Sequence, residues 1–131
     1  EECQRYDDKY VDALAMVFCP APSAEDLAVF FVLFPDATTM TNRYDSLMSG
    51  TVVAQRTETG CFDLVESNST WVYGQGPTAG VLGCYTRTDG AVSGVQYLWT
   101  HDELTVMGHW LSPSFQEGLD YFIAWANGVN E

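Results

Sequence analysis

The sequence has 131 residues, a length that fits one domain with one hydrophobic core. Apolar residues make up 47% of it and aromatic residues 14%, which excludes a disordered chain. Eighteen acidic and five basic residues give a formal charge of -13, which excludes nucleic-acid binding by phosphate neutralisation and adsorption to anionic membranes. No apolar run reaches the roughly 20 residues that span a bilayer. We therefore expect a single domain over residues 1–131, with any membrane attachment through a segment outside this chain.

The N-terminal half predicts two strands and one helix. The apolar runs 13–18 and 27–34 are each followed by proline, and the second run is apolar on both alternating faces, as in a central strand. Asp36 is a good N-cap for the helix that follows. The apolar positions of this helix, at i, i+4 and i+7, are Met40, Tyr44 and Leu47.

Residues 51–70 have the least regular pattern in the chain. Val52 and Val53 predict a short edge strand, and the polar run 67–69 predicts a turn. No function follows from this segment.

The C-terminal half predicts an antiparallel meander. Its hairpin signal is Asp89-Gly90, and a second tight turn is expected at 101–103. Val95, Tyr97 and Trp99 recur with the period of two that marks a strand. The predicted strands are 71–73, 81–86, 92–100 and 104–110.

A final helix is the clearest element of the sequence. Ser112 or Ser114 can cap it, and Ser114 with Glu117 has capping-box spacing. Gly128 is a suitable residue just past its end. The apolar residues that fall on one helical face are Phe115, Leu119, Phe122, Ile123 and Ala126.

These elements predict an α+β fold, in which an antiparallel sheet is packed on one side by the two helices. The halves also resemble each other, which suggests an internal two-fold repeat. In each half a cysteine, Cys19 or Cys84, precedes an apolar strand and a later helix.

The four cysteines are Cys3, Cys19, Cys61 and Cys84, and they form no C-x-x-C pair. An even number of cysteines in a small acidic domain fits two disulfides formed in an oxidising compartment. Of the three possible connectivities we favour Cys3–Cys19 with Cys61–Cys84, because each pair closes a short local loop. The alternative is four buried thiols in a cytosolic protein. The chain begins at Glu1 without a methionine, so we expect a mature product or a piece of a longer protein.

Two histidines are the main candidates for chemistry. His101 and His109 lie on either side of a predicted tight turn and could face each other across a hairpin near Asp102. This arrangement would suit a metal or acid–base catalysis, and the alternative is two histidines with no shared site. No nucleophile elbow or phosphate-binding glycine loop accompanies them, so we expect no catalytic residue and no cofactor.

Aromatic residues are concentrated on the predicted meander strands. They could form a platform for a ligand, or they could fill the core between sheet and helix. They are Trp71, Tyr73, Tyr85, Tyr97, Trp99 and Trp110.

A set of short motifs spans the chain. Gly80-Val81-Leu82-Gly83-Cys84-Tyr85 precedes the hairpin, and Tyr97-Leu98-Trp99-Thr100-His101-Asp102 follows it, ahead of a helix with Trp125 near its end. With Phe34-Pro35-Asp36 in the first half, this pattern resembles extracytoplasmic domains of actinobacterial membrane-anchored serine/threonine protein kinases and related cell-envelope proteins. The resemblance implies that kinase activity and ATP binding belong to a separate cytoplasmic domain.

We therefore expect a non-enzymatic sensor or ligand-binding domain on the extracellular side of the cell membrane, where ligand binding or homodimerisation biases the domain inside. Its ligand would be a small molecule, a glycan or a peptide. One alternative is a free-standing secreted or envelope-anchored domain that binds proteins or glycans. Another is a small hydrolase that uses His101 or His109 with Asp102. The candidate ligand contacts are Tyr97, Trp99, His101, Asp102, His109 and Trp110.

Overall fold

The computed structural model describes residues 3–7, 9–20, 28–55, 60–73, 76–89 and 92–130. In this part of the chain, seven antiparallel strands form one sheet in the order β1-β2-β3-β7-β6-β5-β4, so the predicted α+β class and meander are confirmed. A short 3-10 helix, Cys61–Asp63, precedes β4. The main elements are β1 Gln4–Arg5, β2 Ala15–Pro20, β3 Ala28–Leu33, α1 Ala37–Met48, β4 Ser67–Val72, β5 Thr78–Asp89, β6 Val92–His101, β7 Val106–Ser112 and α2 Phe115–Asn130.

The two helices pack on opposite faces of the sheet, so the expectation that both cover one side is wrong. Met40, Tyr44 and Met48 of α1 belong to one buried cluster, whereas Phe122 and Ala126 of α2 belong to another. The physical reason is that the central strands are apolar on both faces, and each face needs a cover. We call the two sides of the sheet the α1 face and the α2 face.

The strands alternate between these faces as their pleat requires. On β3, Val29 joins the α2-face cluster and Val32 joins the α1-face cluster. On β6, Tyr97 and Trp99 lie on the α2 face and Leu98 lies on the α1 face. The α2-face cluster is the more aromatic of the two and underlies the site described below.

Side-chain caps fix the starts of both helices. The Asp36 carboxylate accepts a hydrogen bond from the Thr39 N–H at 2.7 Å, as predicted for an N-cap. Ser114 Oγ accepts from the Glu117 N–H at 3.1 Å, so Ser114 is the cap of α2. Gly128 does not end α2, which continues to Asn130 because Gly128 does not adopt a left-handed backbone.

The described chain contains two disulfide bonds, Cys3–Cys19 and Cys61–Cys84. This is the predicted pairing. The first ties the segment before β1 to β2, and the second ties the 3-10 helix to β5. Disulfides of this kind persist in oxidising, non-cytosolic compartments. Neither described helix is long and apolar enough to cross a membrane.

The segment 51–70 differs from its prediction. Ser67–Ser69 is the start of β4 rather than a turn, and Val52 and Val53 lie in a turn rather than a strand. The polar run can enter a strand because Asn68 is hydrogen-bonded inside the protein. Its Nδ2 donates to the Val53 carbonyl at 2.9 Å, and its Oδ1 accepts from the Tyr44 hydroxyl at 2.8 Å.

Two further predictions are only partly covered by the described residues. Leu27, at the start of the predicted second strand, and Gly90, in the predicted hairpin, lie outside them. The flanking strands β5 and β6 pair out to Asp89 and Val92. The predicted repeat matches β3 with β6, and these two strands run parallel to each other on either side of β7.

Candidate ligand groove

An apolar groove of about 210 Å³ opens between α2 and β4, the last strand of the sheet. Its walls come from three elements that lie far apart in sequence: the 3-10 helix, the end of β4 and the second half of α2. The lining residues are Phe62, Trp71, Val72, Tyr73, Phe122, Ile123, Ala126 and Asn127.

Hydrogen bonds and ring contacts hold the floor of the groove in place. Trp71 Nε1 donates to the Thr100 carbonyl at 2.8 Å, which fixes the indole against β6. The Phe122 ring meets the Trp71 ring edge-on, with their centroids 5.0 Å apart. The Tyr73 hydroxyl donates to the Ala126 carbonyl at 2.7 Å and so links the end of β4 to α2. The groove is therefore formed before any ligand binds.

The rim of the groove exposes large apolar side chains. Phe62 is 46% exposed, Val72 is 43% exposed and Ile123 is 36% exposed. The sequence placed Ile123 on the buried face of α2, but in the fold it lies at the margin of that face and lines the groove. Exposed apolar residues grouped around a concave surface mark an interaction site more strongly than isolated ones do.

The polar groups of the lining are few and uncharged. Tyr73 supplies a phenol and Asn127 supplies an amide, both of which can hydrogen bond to a ligand. Burial, with a smaller contribution from the Glu103 charge, raises the pKa of Tyr73, which stays protonated at neutral pH. This set of groups can position an apolar ligand and orient its polar end.

Three of the predicted ligand contacts lie in the core beneath α2. Tyr97, Trp99 and Trp110 are almost completely buried, and α2 separates them from solvent. The Tyr97 hydroxyl donates to the Phe115 carbonyl at 2.6 Å, and burial is the main cause that raises its pKa.

His101 lies directly behind the groove. Its ring packs against the Trp71 ring, with centroids 5.7 Å apart, and against the Tyr73 ring at 6.1 Å. Its Nδ1 accepts a hydrogen bond from the Leu104 N–H at 3.3 Å. Asp102 is exposed in the next turn, and its N–H donates to the Ala79 carbonyl. Of the six predicted contacts, two are shown to touch lining side chains: His101 at the back of the floor, and Trp99, whose ring centroid lies 5.6 Å from that of Phe122.

His109 lies on the opposite face of the sheet, so the expectation that the two histidines face each other is wrong. In the register of β6 and β7, His101 pairs with Val106, whereas His109 pairs with Leu98. The His109 ring stacks on Phe30 of the α1 face, with centroids 5.1 Å apart. Within the described ranges, no group of three His, Cys, Asp or Glu side chains could hold a metal ion.

Comparison of the chain with protein-family models, with curated proteins and with solved structures finds no match. The resemblance to extracytoplasmic kinase domains therefore stays a prediction from the motifs alone.

Proposed function

We propose that this chain is a non-enzymatic ligand-binding domain that works on the extracellular side of the membrane, and that the groove between α2 and β4 holds the ligand. One observation carries the proposal: a preformed apolar groove, rimmed by exposed Phe62, Val72 and Ile123 and floored by hydrogen-bonded Trp71 and Tyr73. Its lining offers contacts for binding, and the histidines proposed for hydrolysis lie on different faces of the sheet.

The location and the signalling role have separate support. The two disulfides favour a compartment outside the cytosol. The motif resemblance favours the sensor part of a membrane-anchored serine/threonine protein kinase or a related envelope protein. A sensor requires a ligand that binds one arrangement of its elements more tightly than another, and an occupant of this groove touches both α2 and β4.

Binding of a neutral apolar dye such as Nile red tests the site. The intact domain should bind the dye, and Ile123→Glu should weaken the affinity by about tenfold, because a carboxylate must then be desolvated in the groove. Val72→Glu should act in the same way.

The matched control is Val52→Glu. Val52 is 79% exposed and is not among the groove-lining residues, so this variant adds the same charge without touching the site. Equal dye affinity for the intact domain, Ile123→Glu and Val72→Glu would contradict the proposal, provided that thermal melts show all variants folded.

The full-length gene tests the kinase part. A kinase domain and one hydrophobic span encoded before Glu1 are expected. A signal peptide alone would instead favour the free-standing secreted alternative.

A further inference from the structure

The charged side chains around the groove have one sign in the described part of the chain. Asp63 follows the lining residue Phe62 in the 3-10 helix. Glu103 lies in the turn after β6, close enough to Tyr73 for its charge to act on the phenol. Glu117 and Asp120 are exposed on α2 itself. Two acidic residues, Asp63 and Glu103, are therefore close to lining residues of the apolar groove.

The described basic residues lie elsewhere. Arg5 is on β1 at the opposite edge of the sheet, six strand spacings or about 29 Å from β4. Arg43 on α1 pairs with Asp12 at 3.1 Å, on the α1 side. Lys9 donates to the Ala13 carbonyl at 2.9 Å.

Arg87 is also remote from the groove. It lies on β5, nine residues or about 30 Å along the strand from Thr78, the residue that pairs with Val72 at the groove end of β4. Among the residues that the structure describes, the basic side chains are thus remote from the groove, whereas the acidic Asp63 and Glu103 lie close to it.

The groove also adjoins an open sheet edge. Within the described residues β4 pairs with β5 alone, and Thr70 and Val72 near its end are exposed. Extended peptides bind such edges by adding main-chain hydrogen bonds, while pockets beside the edge take alternate side chains. A glycan or a compact small molecule lacks the regularly spaced main-chain N–H and C=O groups that pair along such an edge.

Building on the proposed function, we propose that the ligand is a cationic peptide segment in extended conformation. An apolar or aromatic side chain of the peptide enters the groove, and flanking Lys or Arg side chains face Asp63 and Glu103. The negative field of the domain attracts this ligand over a distance that depends on salt. The same field disfavours anionic ligands, including nucleotides and acidic peptides.

Calorimetric titration with three blocked pentapeptides tests the proposal: Lys-Lys-Phe-Lys-Lys, and versions in which Gln or Glu replaces every Lys. At about 0.05 M salt the cationic peptide should bind at least about tenfold more tightly than the Gln peptide. Raising salt to about 0.5 M should remove most of that difference. The Glu peptide should bind most weakly.

Charge-neutralising variants test whether Asp63 and Glu103 contribute to binding of the cationic peptide. Asp63→Asn and Glu103→Gln should each weaken binding of the cationic peptide by roughly two- to five-fold and leave the Gln peptide unchanged. Asp7→Asn is the control, because Asp7 is exposed near β1 at the far edge of the sheet. It should have no effect on either peptide.

The outcomes separate the two proposals. Equal affinity for the Lys and Gln peptides, both lost in Ile123→Glu, overturns the cationic ligand and retains the groove. Undiminished binding of the Lys peptide by Ile123→Glu overturns the placement of the peptide in the groove. If neither the dye nor any peptide binds, both proposals fall.

Discussion

His109 is an uncharged histidine with a buried ring nitrogen. Its ring stacks on Phe30, and its Nε2 has no hydrogen-bond partner among the described residues. Burial, with a smaller contribution from the Arg87 charge, lowers the pKa of His109 from 6.5 to about 4. The folded protein therefore resists protonation of this ring at a pH where the unfolded chain accepts it.

This difference makes the free energy of unfolding depend on pH. Because the unfolded state binds the extra proton, His109 does not lower the free energy of unfolding above about pH 6.5. Below that pH the free energy of unfolding falls until about pH 4. The loss across this window is on the order of 3 kcal/mol. Replacing His109 by Phe keeps a stacking ring and removes the titration, so the variant should lose correspondingly less stability.

Urea unfolding of both proteins at several pH values between 4 and 7.5 measures the effect. Carboxylates with lowered pKa, such as Asp36 and Glu66, contribute equally to both proteins and cancel in the comparison. Parallel pH profiles for the two proteins would contradict the buried neutral state of His109.

The environments of two residues, Asn68 and Ile123, could not be predicted from the sequence. Asn68 looks like a turn residue, but its partners Tyr44 and Val53 lie 24 and 15 residues away in the chain. Ile123 fits the apolar face of α2, and only the position of β4 makes it a groove residue. In both cases a long-range contact decides the outcome, and periodicity carries no information about such contacts.

At the scale of elements, α2 approaches the sheet closely at one glycine. A Cβ at Gly118 would overlap the Tyr97 ring, whose hydroxyl is bonded to the Phe115 carbonyl of the same helix. Gly128, about three turns further along α2, has no neighbouring atom within 4 Å of a Cβ built at that position. The two glycines therefore lie in the same helix, but only Gly118 lacks room for a side chain.

Alanine at these positions should have opposite effects. Gly128→Ala should stabilise the domain by about 0.5 kcal/mol, because alanine loses less backbone entropy than glycine in a helix. Gly118→Ala should destabilise it by roughly 1–3 kcal/mol, because overpacking against Tyr97 exceeds that gain. Denaturant unfolding compares them, and a Gly118→Ala variant more stable than the parent would show that α2 does not pack on Tyr97 as described.

Most elements follow from local signals. The period of two at Val95, Tyr97 and Trp99 predicts β6, and the cap at Asp36 predicts the start of α1. The side on which each helix packs does not follow, because a strand that is apolar on both faces, such as β3, gives no preference.

At the scale of the whole molecule, the Cys61–Cys84 disulfide and the sheet order create the groove. Cys61–Cys84 ties the 3-10 helix to β5 and so holds Phe62 beside β4. The disulfide connectivity follows from loop length, but the presence of Phe62 and Ile123 in one groove depends on β4 occupying the sheet edge. For this reason the sequence predicts a disulfide-bonded binding domain and does not locate its groove.

Chemical-shift mapping by two-dimensional NMR tests the ligand groove most directly. On titration with the neutral dye, the largest amide shifts should fall at Thr70–Tyr73 and Ile123–Asn127, the two walls of the groove. The amides around Phe30 and His109 on the α1 face should stay unchanged. Shifts centred on the α1 face, or none at saturating dye, would contradict the account.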